Sequence, residues 1–197
     1  MHAMPGGTLA IDPPASVAAP GSWCRTEGLE GRPWLGIHVG SGGTKNLALR
    51  RWPVDRWQGF LQAWRARCPR VPVVAFGGTL RFPGAPSLRA AAALVGRARA
   101  FVSVDTAFMH IAAAMGVPHQ VVIETPTLNP PVFPLRRDWT RVHNPAVHGR
   151  HLDFYRYDGR PIAGTDDDIE RVMRAVEVEP VWEAVAAGWW SRGDSNP

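Results

Sequence analysis

The chain is poor in the residues that mark disulfide-rich, zinc-binding and membrane-spanning proteins. Its two cysteines, Cys24 and Cys68, form no C-x-x-C pair, so neither a disulfide framework nor a structural zinc site is predicted. No run approaches the ~18 consecutive apolar residues of a membrane-spanning helix, and no charged-then-apolar start resembles a signal peptide. The sequence therefore predicts a cytoplasmic protein with no membrane span.

Lysine is almost absent from a chain that is otherwise basic. Of its 22 basic residues only Lys45 is a lysine, and the formal net charge is +5. The arginines are scattered, as at Arg50, Arg97 and Arg136, and are not massed in one stretch. A basic balance suits nucleic acid or phosphorylated substrates, but a dedicated nucleic-acid surface requires clustered charge. Nucleic acid is therefore not an expected partner.

The length and composition suit one globular domain with an irregular lead. The chain has 197 residues, of which 45% are hydrophobic, enough for a single core. Residues 1–33 are rich in proline, glycine, alanine and serine without periodicity, which predicts a flexible lead or linker. The folded domain is expected over residues 34–190, followed by a frayed polar tail at 191–197.

Strand and helix patterns alternate within that domain. Short apolar runs predict strands at 34–39, 71–76, 101–104 and 120–123. Helical spacing and capping residues predict helices from Pro53 and at 87–98, 106–115, 169–176 and 180–190. Alternation of this kind implies right-handed βαβ units. The predicted fold class is therefore α/β, a Rossmann-like parallel sheet with flanking helices.

The segment 101–116 carries the clearest chemical signal. An apolar strand ends on Asp105, Thr106 follows as a preferred N-cap residue, and His110 lies one turn into the next helix. The carboxyl edge of a parallel sheet presents such groups, together with free helix N–H groups, to anionic ligands. The alternative is structural, with Asp105 and His110 satisfying only backbone groups.

Two other polar segments follow predicted strands. The loop from Gly40 to Lys45 is glycine-rich, which suits backbone N–H groups facing a phosphate, although it fits neither the Walker A pattern nor the dinucleotide fingerprint. Thr125 and Thr127 follow the strand at 120–123. All these segments are expected at one edge of the sheet. His143, His148 and His151 lack acidic partners at fixed spacing, so no metal site is predicted.

These residues resemble the C-terminal half of glycosyltransferase family 9, the heptosyltransferases of lipopolysaccharide core synthesis and their relatives. Residues 105–118 read Asp-Thr-Ala-Phe-Met-His-Ile-Ala-Ala-Ala-Met-Gly-Val-Pro. They are similar to the family's signature Asp-Thr/Ser-Gly-Pro-Met-His-Leu-Ala-Ala-Ala-Leu-Gly-x-Pro. Residues 37–41 with Lys45 and Trp52-Pro53 look like the family's His-Pro-Gly-Ser loop, its lysine and its Trp-Pro helix start. Pro126-Thr127 followed by Pro130 looks like its Gly-Pro-Thr-x-Pro turn.

The resemblance implies a fold, a donor and a set of site residues. The fold would be the nucleotide-sugar-binding domain of the two-domain GT-B architecture, and the donor a nucleotide-diphosphate sugar such as ADP-heptose. Transfer would be metal-independent and inverting, with no cofactor. The residues implied to bind the donor and its diphosphate are Ser41, Thr44, Lys45, Asp105, Thr106, Ala107, His110 and Thr127. No catalytic residue is assigned, because the family's general base belongs to an acceptor-binding N-terminal domain without a counterpart here.

The chain also departs from the family pattern within these motifs. Val39 and Phe108 stand where the family has prolines, Ala107 replaces a glycine, and Glu124-Thr125 replaces Phe-Gly. Two functions therefore stay open. One is a glycosyltransferase donor domain that works with a separate acceptor-binding domain or chain. The other is a non-catalytic module that binds nucleotides or sugar phosphates and derives from such an enzyme.

Overall fold

A single mixed sheet organises the protein. The computed structural model describes residues 3–4, 8–10, 24–25, 28–40, 48–76, 88–126, 139–147 and 166–191. Its seven-stranded sheet has the order β1-β2-β4-β3-β5-β6-β7. The strands are β1 (Ala3–Met4), β2 (Thr8–Ala10), β3 (Leu35–His38), β4 (Val73–Phe76), β5 (Ala100–Ser103), β6 (His119–Ile123) and β7 (Trp139–Val142). Neighbours pair in parallel except β1 with β2. The predicted α/β class with a parallel sheet is confirmed.

Helices cover both faces of this sheet. They are α1 (Val54–Arg67), α2 (Leu88–Val95), α3 (Ala107–Ala114), α4 (Asp166–Arg174) and α5 (Val178–Trp190), and a short 3₁₀ turn spans Ala48–Arg50. Because side chains alternate along a strand, Val73 and Ala75 pack towards α1 and α5, while Val74 and Phe76 pack towards α2 and α3. The core therefore has two apolar layers, one on each face.

The helix α1 shows how sequence spacing becomes packing. Its buried side chains are Trp57, Phe60, Leu61 and Trp64, which lie on one face at helical spacing. Just before the helix, the buried Trp52 packs edge-on against Trp57 with ring centroids 4.9 Å apart. The Trp52 indole N–H also donates to the Val176 carbonyl at 3.0 Å, which ties the start of α1 to the segment between α4 and α5. The predicted helix from Pro53 is confirmed. Its expected apolar face is confirmed at these four residues but not at Val54, which also belonged to that face and is exposed at the first turn.

The helix α5 closes the same layer through a close backbone approach. The His119 Nε2 atom hydrogen-bonds the Ala184 carbonyl at 2.9 Å, so the imidazole lies against the helix. A Cβ atom on Gly188 would overlap the His119 ring. Glycine at this position therefore lets α5 lie directly on the first residue of β6.

The structure differs from the sequence-based expectation at the chain's start and near residue 140. Within the expected flexible lead, residues 3–4 and 8–10 form strands, and Cys24 and Leu29 are buried beside α2 and α3. The strand β7 falls in a stretch for which no strand was predicted. β1 and β2 have only two and three residues, too few to show a periodicity. β7 (Trp-Thr-Arg-Val) lacks the continuous apolar run of the buried strands.

The C-terminal helices occupy slightly different bounds from those expected. The helix expected at 169–176 is α4 at Asp166–Arg174, and the one expected from residue 180 is α5 at Val178–Trp190. Apart from Ser191, the expected tail lies outside the described residues. Among the helices of the described ranges, none combines the length and apolar character needed to cross a bilayer.

Candidate functional site

Polar side chains follow the ends of neighbouring parallel strands at one edge of the sheet. In the sheet register His38 of β3 pairs with Ser103 of β5, and Ser103 pairs with Val122 of β6. Asp105 comes two residues after Ser103, and Glu124 comes two residues after Val122. Ligands of open α/β folds bind at the carboxyl ends of such strands. Asp105 therefore lies at the edge of the sheet where the sequence predicts it.

The Asp105 carboxylate is buried and faces an arginine. Asp105 is 5% exposed, and its Oδ2 lies 3.6 Å from the Nε atom of Arg50. The Arg50 side chain is 27% exposed, whereas that of Asp105 is 7% exposed. Burying a charge costs free energy unless it is paired, and Arg50 supplies the pairing charge. The pair places a cation at the carboxyl edge of the sheet.

Thr106 makes a contact that the sequence did not predict. It stands at the N-cap position of α3 with extended backbone angles, φ −144° and ψ 167°, but no side-chain hydrogen bond caps the helix. Its Oγ1 instead lies 3.1 Å from the Nδ1 atom of His38. The prediction that Thr106 occupies the N-cap position agrees with the structure. Its hydroxyl, however, bonds a side chain of β3 and not a helix amide.

The His38 imidazole is enclosed by this turn. It is 3% exposed and stacks on the Phe108 ring, with centroids 4.4 Å apart and planes 17° apart. Burial lowers the pKa of His38 to about 4, because the charged form would lose its hydration. His38 is therefore neutral at physiological pH and joins the end of β3 to the start of α3.

The other site residues named from the sequence divide into two groups. Ala107 and His110 are exposed on α3. The His110 ring meets the Trp139 ring edge-on, with centroids 6.4 Å apart and planes 62° apart. Ser41, Thr44, Lys45 and Thr127 lie outside the described residues.

A second polar cluster surrounds Glu124 at the same edge. Glu124 is fully buried, and its Oε2 accepts the Asn144 backbone N–H at 2.8 Å. Arg141 Nη1 lies 3.6 Å from Oε1, and His143 Nδ1 lies 3.5 Å from Oε2. The Asn144 amide in turn donates to the Val172 carbonyl at 3.0 Å. This network holds the ends of β6 and β7 together and joins them to α4.

Sequence reasoning did not single out three of these residues as functional. His38 appeared only within a family motif, Arg50 only as one scattered arginine, and Glu124 only as a departure from the family. His38 and Glu124 do carry a local signal, since each is a polar residue at the end of an apolar strand. Arg50 carries no such signal, because its partner Asp105 is distant in sequence. Among the described residues, no group of three or more histidine, cysteine or acidic side chains could hold a metal ion.

Comparisons with known proteins identify the architecture. The family model of glycosyltransferase family 9 (heptosyltransferase) matches residues 82–128, which include α2, β5, α3 and β6. The structure of E. coli ADP-heptose LPS heptosyltransferase II matches with a TM-score of 0.58 and 19% identity, covering 95% of this chain and 54% of that one. E. coli heptosyltransferase WaaC with ADP-2-deoxy-2-fluoro heptose gives a TM-score of 0.44 and 16% identity, covering 57% and 38%. No curated protein matches the sequence. The chain spans about half the length of heptosyltransferase II.

Proposed function

The chain has a heptosyltransferase-like glycosyltransferase fold, and on that premise we propose that it is a donor-binding domain for a nucleotide-diphosphate sugar. The observation that carries the proposal is the Arg50–Asp105 pair at the carboxyl edge of the parallel sheet, 3.6 Å between Nε and Oδ2. The buried Asp105 carboxylate fixes the position of the Arg50 guanidinium, and a fixed guanidinium is a group that binds phosphates well.

The chemistry of a departing nucleoside diphosphate explains why these groups suit the role. When the bond between the sugar and the diphosphate breaks, negative charge develops on the leaving group, and fixed donors stabilise it without a metal. Arg50 and the N-terminal end of α3, next to Thr106 and Ala107, would supply these donors. Lys45, Ser41, Thr44 and Thr127 belong to the same proposal through the family resemblance, and His110 would lie further along α3.

The reaction would be a direct displacement with inversion of the sugar's anomeric carbon. An acceptor hydroxyl attacks that carbon, its proton passes to a general base, and the nucleoside diphosphate leaves. By the family resemblance, the base would belong to an acceptor-binding domain or chain. An ADP-heptose-like donor, a cytoplasmic location and a place in lipopolysaccharide synthesis complete the proposal.

A second function follows from the way the turn at 105–108 is packed. Asp105 and Thr106 are only 5% and 6% exposed and contact Arg50 and His38, while Phe108 covers the imidazole. Buried groups engaged with their own neighbours favour a structural role for this turn. The alternative is therefore a non-catalytic module that binds a nucleotide or sugar phosphate without turnover.

Calorimetric titration with ADP and ADP-sugars tests the binding that both functions require. Arg50→Ala is expected to weaken ADP binding by about 1.5–3 kcal/mol, the range for a hydrogen bond to a charged group. Arg51→Ala is the matched control, because Arg51 is the exposed neighbour and is expected to leave affinity unchanged. Equal effects of the two variants would contradict the assignment of Arg50. A parent chain that binds neither ADP nor ADP-sugars would contradict the proposed function.

A further inference from the structure

The first turn of α3 and the end of β3 are joined by one side-chain contact. His38 Nδ1 and Thr106 Oγ1 are 3.1 Å apart, and both residues are buried. The imidazole cannot easily rotate away, because its face rests on Phe108 at 4.4 Å between centroids. Phe108 itself packs against Phe76 and Phe101, at 5.6 and 6.5 Å between centroids. The position of the ring is thus set by the core of the protein.

This contact changes what Thr106 can do for the helix. A threonine at an N-cap normally turns its hydroxyl to the N–H of the second or third helical residue. Here those residues are Phe108 and Met109, yet no side-chain hydrogen bond caps the helix. The Met109 N–H donates to the Thr106 carbonyl at 3.0 Å. The hydroxyl is bonded to His38, so it does not compete for the Phe108 N–H.

We propose that His38 is a positioning residue that holds the Thr106 hydroxyl away from the first turn of α3. A further consequence rests on the proposed function. The N–H groups of the first turn stay available to a diphosphate. They would bind it beside the Arg50 guanidinium, whose Nε lies 3.6 Å from Asp105 Oδ2. Without His38 the hydroxyl turns to the Phe108 amide and competes with the ligand's oxygen atoms. His38 acts through Thr106 and makes no contact with the ligand itself.

Amide hydrogen exchange of Phe108, measured by NMR on the full chain without ligand, tests the orientation directly. His38→Phe keeps a ring over Phe108 and removes Nδ1, so the freed hydroxyl is expected to cap the helix. Exchange of the Phe108 amide should then slow about fivefold, the factor that corresponds to one N-cap hydrogen bond. His38→Asn retains a polar atom near the Nδ1 position and should behave like the parent. An unchanged exchange rate in His38→Phe overturns the proposal.

Thr106→Val supplies a measurement that does not depend on any change at His38. In the parent the hydroxyl bonds His38, so its loss should leave Phe108 exchange unchanged, whereas faster exchange would show that the hydroxyl caps the helix and would overturn the proposal. In the His38→Phe/Thr106→Val double variant the fivefold slowing should disappear, because no hydroxyl remains to form the cap.

Titration with ADP then separates this inference from the proposed function. His38→Phe is expected to weaken ADP binding about fivefold, and the double variant should recover part of the loss if the hydroxyl is the competitor. If slowed exchange is found but the parent does not bind ADP, the positioning role stands and the proposed function fails. If ADP binds the parent and His38→Phe equally well with unchanged exchange, the positioning role fails and the donor site stands.

Discussion

At the scale of single residues, burial decides what the polar groups of the sheet edge can do. Asp105, Thr106 and His38 are each less than a tenth exposed, and each contacts a named partner. Among the members of the predicted site that the structure describes, Ala107 and His110 are exposed. A ligand at this edge would therefore meet the outer ends of Arg50 and α3 first, with the buried groups holding them in place.

The low pKa of His38 makes the stability of the fold depend on pH. Above about pH 6.5 the side chain is neutral in both the folded and the unfolded chain, and its contribution to stability is fully present. Below that pH the unfolded chain binds a proton that the folded chain does not bind until about pH 4, so the free energy of unfolding decreases. We expect His38 to account for a loss of about 2 kcal/mol between about pH 7 and pH 5.

Urea unfolding of the parent and of His38→Asn at the two pH values measures this contribution. The variant cannot titrate at this position, so its free energy of unfolding should decrease less than that of the parent by about 2 kcal/mol. Exposed carboxylates titrate alike in both proteins and cancel in the difference. The same decrease in both proteins would show that His38 takes up its proton in the folded state as readily as in the unfolded one.

At the scale of elements, the contact between α5 and β6 depends on Gly188, which has no side chain. Gly188→Ala would place a Cβ atom inside the His119 ring, and the ring is held by its bond to the Ala184 carbonyl. We expect a loss of about 1–3 kcal/mol from overpacking, despite alanine's better helix propensity. Thermal or urea unfolding measures the change.

Gly59→Ala provides the matched control within α1. Its added Cβ would lie 3.2 Å from Val178 Cγ2, a methyl group that can move by the few tenths of an ångström required. The gain in helix propensity, up to about 1 kcal/mol, should offset this contact and leave stability unchanged or higher. If both glycine variants lost stability equally, the His119 ring would not be what distinguishes Gly188.

The surface pairs between α1 and the C-terminal helices are a weaker link between elements. Arg174 contacts Asp55, Arg56 contacts Glu177, and Arg67 contacts Glu179 at 3.0 Å. The carboxylate of each pair is more than half exposed. Such pairs contribute little to stability because water and salt screen them. The buried aromatic face of α1 therefore dominates this contact.

At the scale of the whole molecule, the chain spans about half the length of E. coli heptosyltransferase II. We expect the purified 197-residue chain to bind its donor but to transfer no sugar. General-base assistance typically accounts for ~10²–10⁴-fold in rate, and the lost positioning of the acceptor lowers the rate further. A multiple-turnover assay with ADP-heptose measures this. Transfer by the chain alone that Asp105→Ala abolishes would contradict the prediction.

The sequence by itself determined the elements whose own residues carry a periodic or capping signal. The helical face of α1, the buried strands β3, β4, β5 and β6, and the parallel arrangement of the sheet all follow from local patterns. The strands β1, β2 and β7 did not follow. β1 and β2 have only two and three residues, and the edge strand β7 (Trp-Thr-Arg-Val) lacks the continuous apolar run that marks the buried strands. The position of Asp105 and Thr106 at a strand end was also predictable, because they directly follow the apolar run that marks β5.

Only the tertiary structure decided which partners these site residues have. His38 reaches Thr106 because β3 and β5 are neighbours in the sheet although they are distant in sequence. Arg50 reaches Asp105 from the 3₁₀ turn at Ala48–Arg50, which is equally distant in sequence. The N-cap pattern predicted a bond from Thr106 to its own helix, and the neighbouring imidazole replaced that bond. Local sequence sets backbone preferences over a few residues, whereas burial and pairing across strands are set by the assembled sheet, and those decide the charge and orientation of each group at the site.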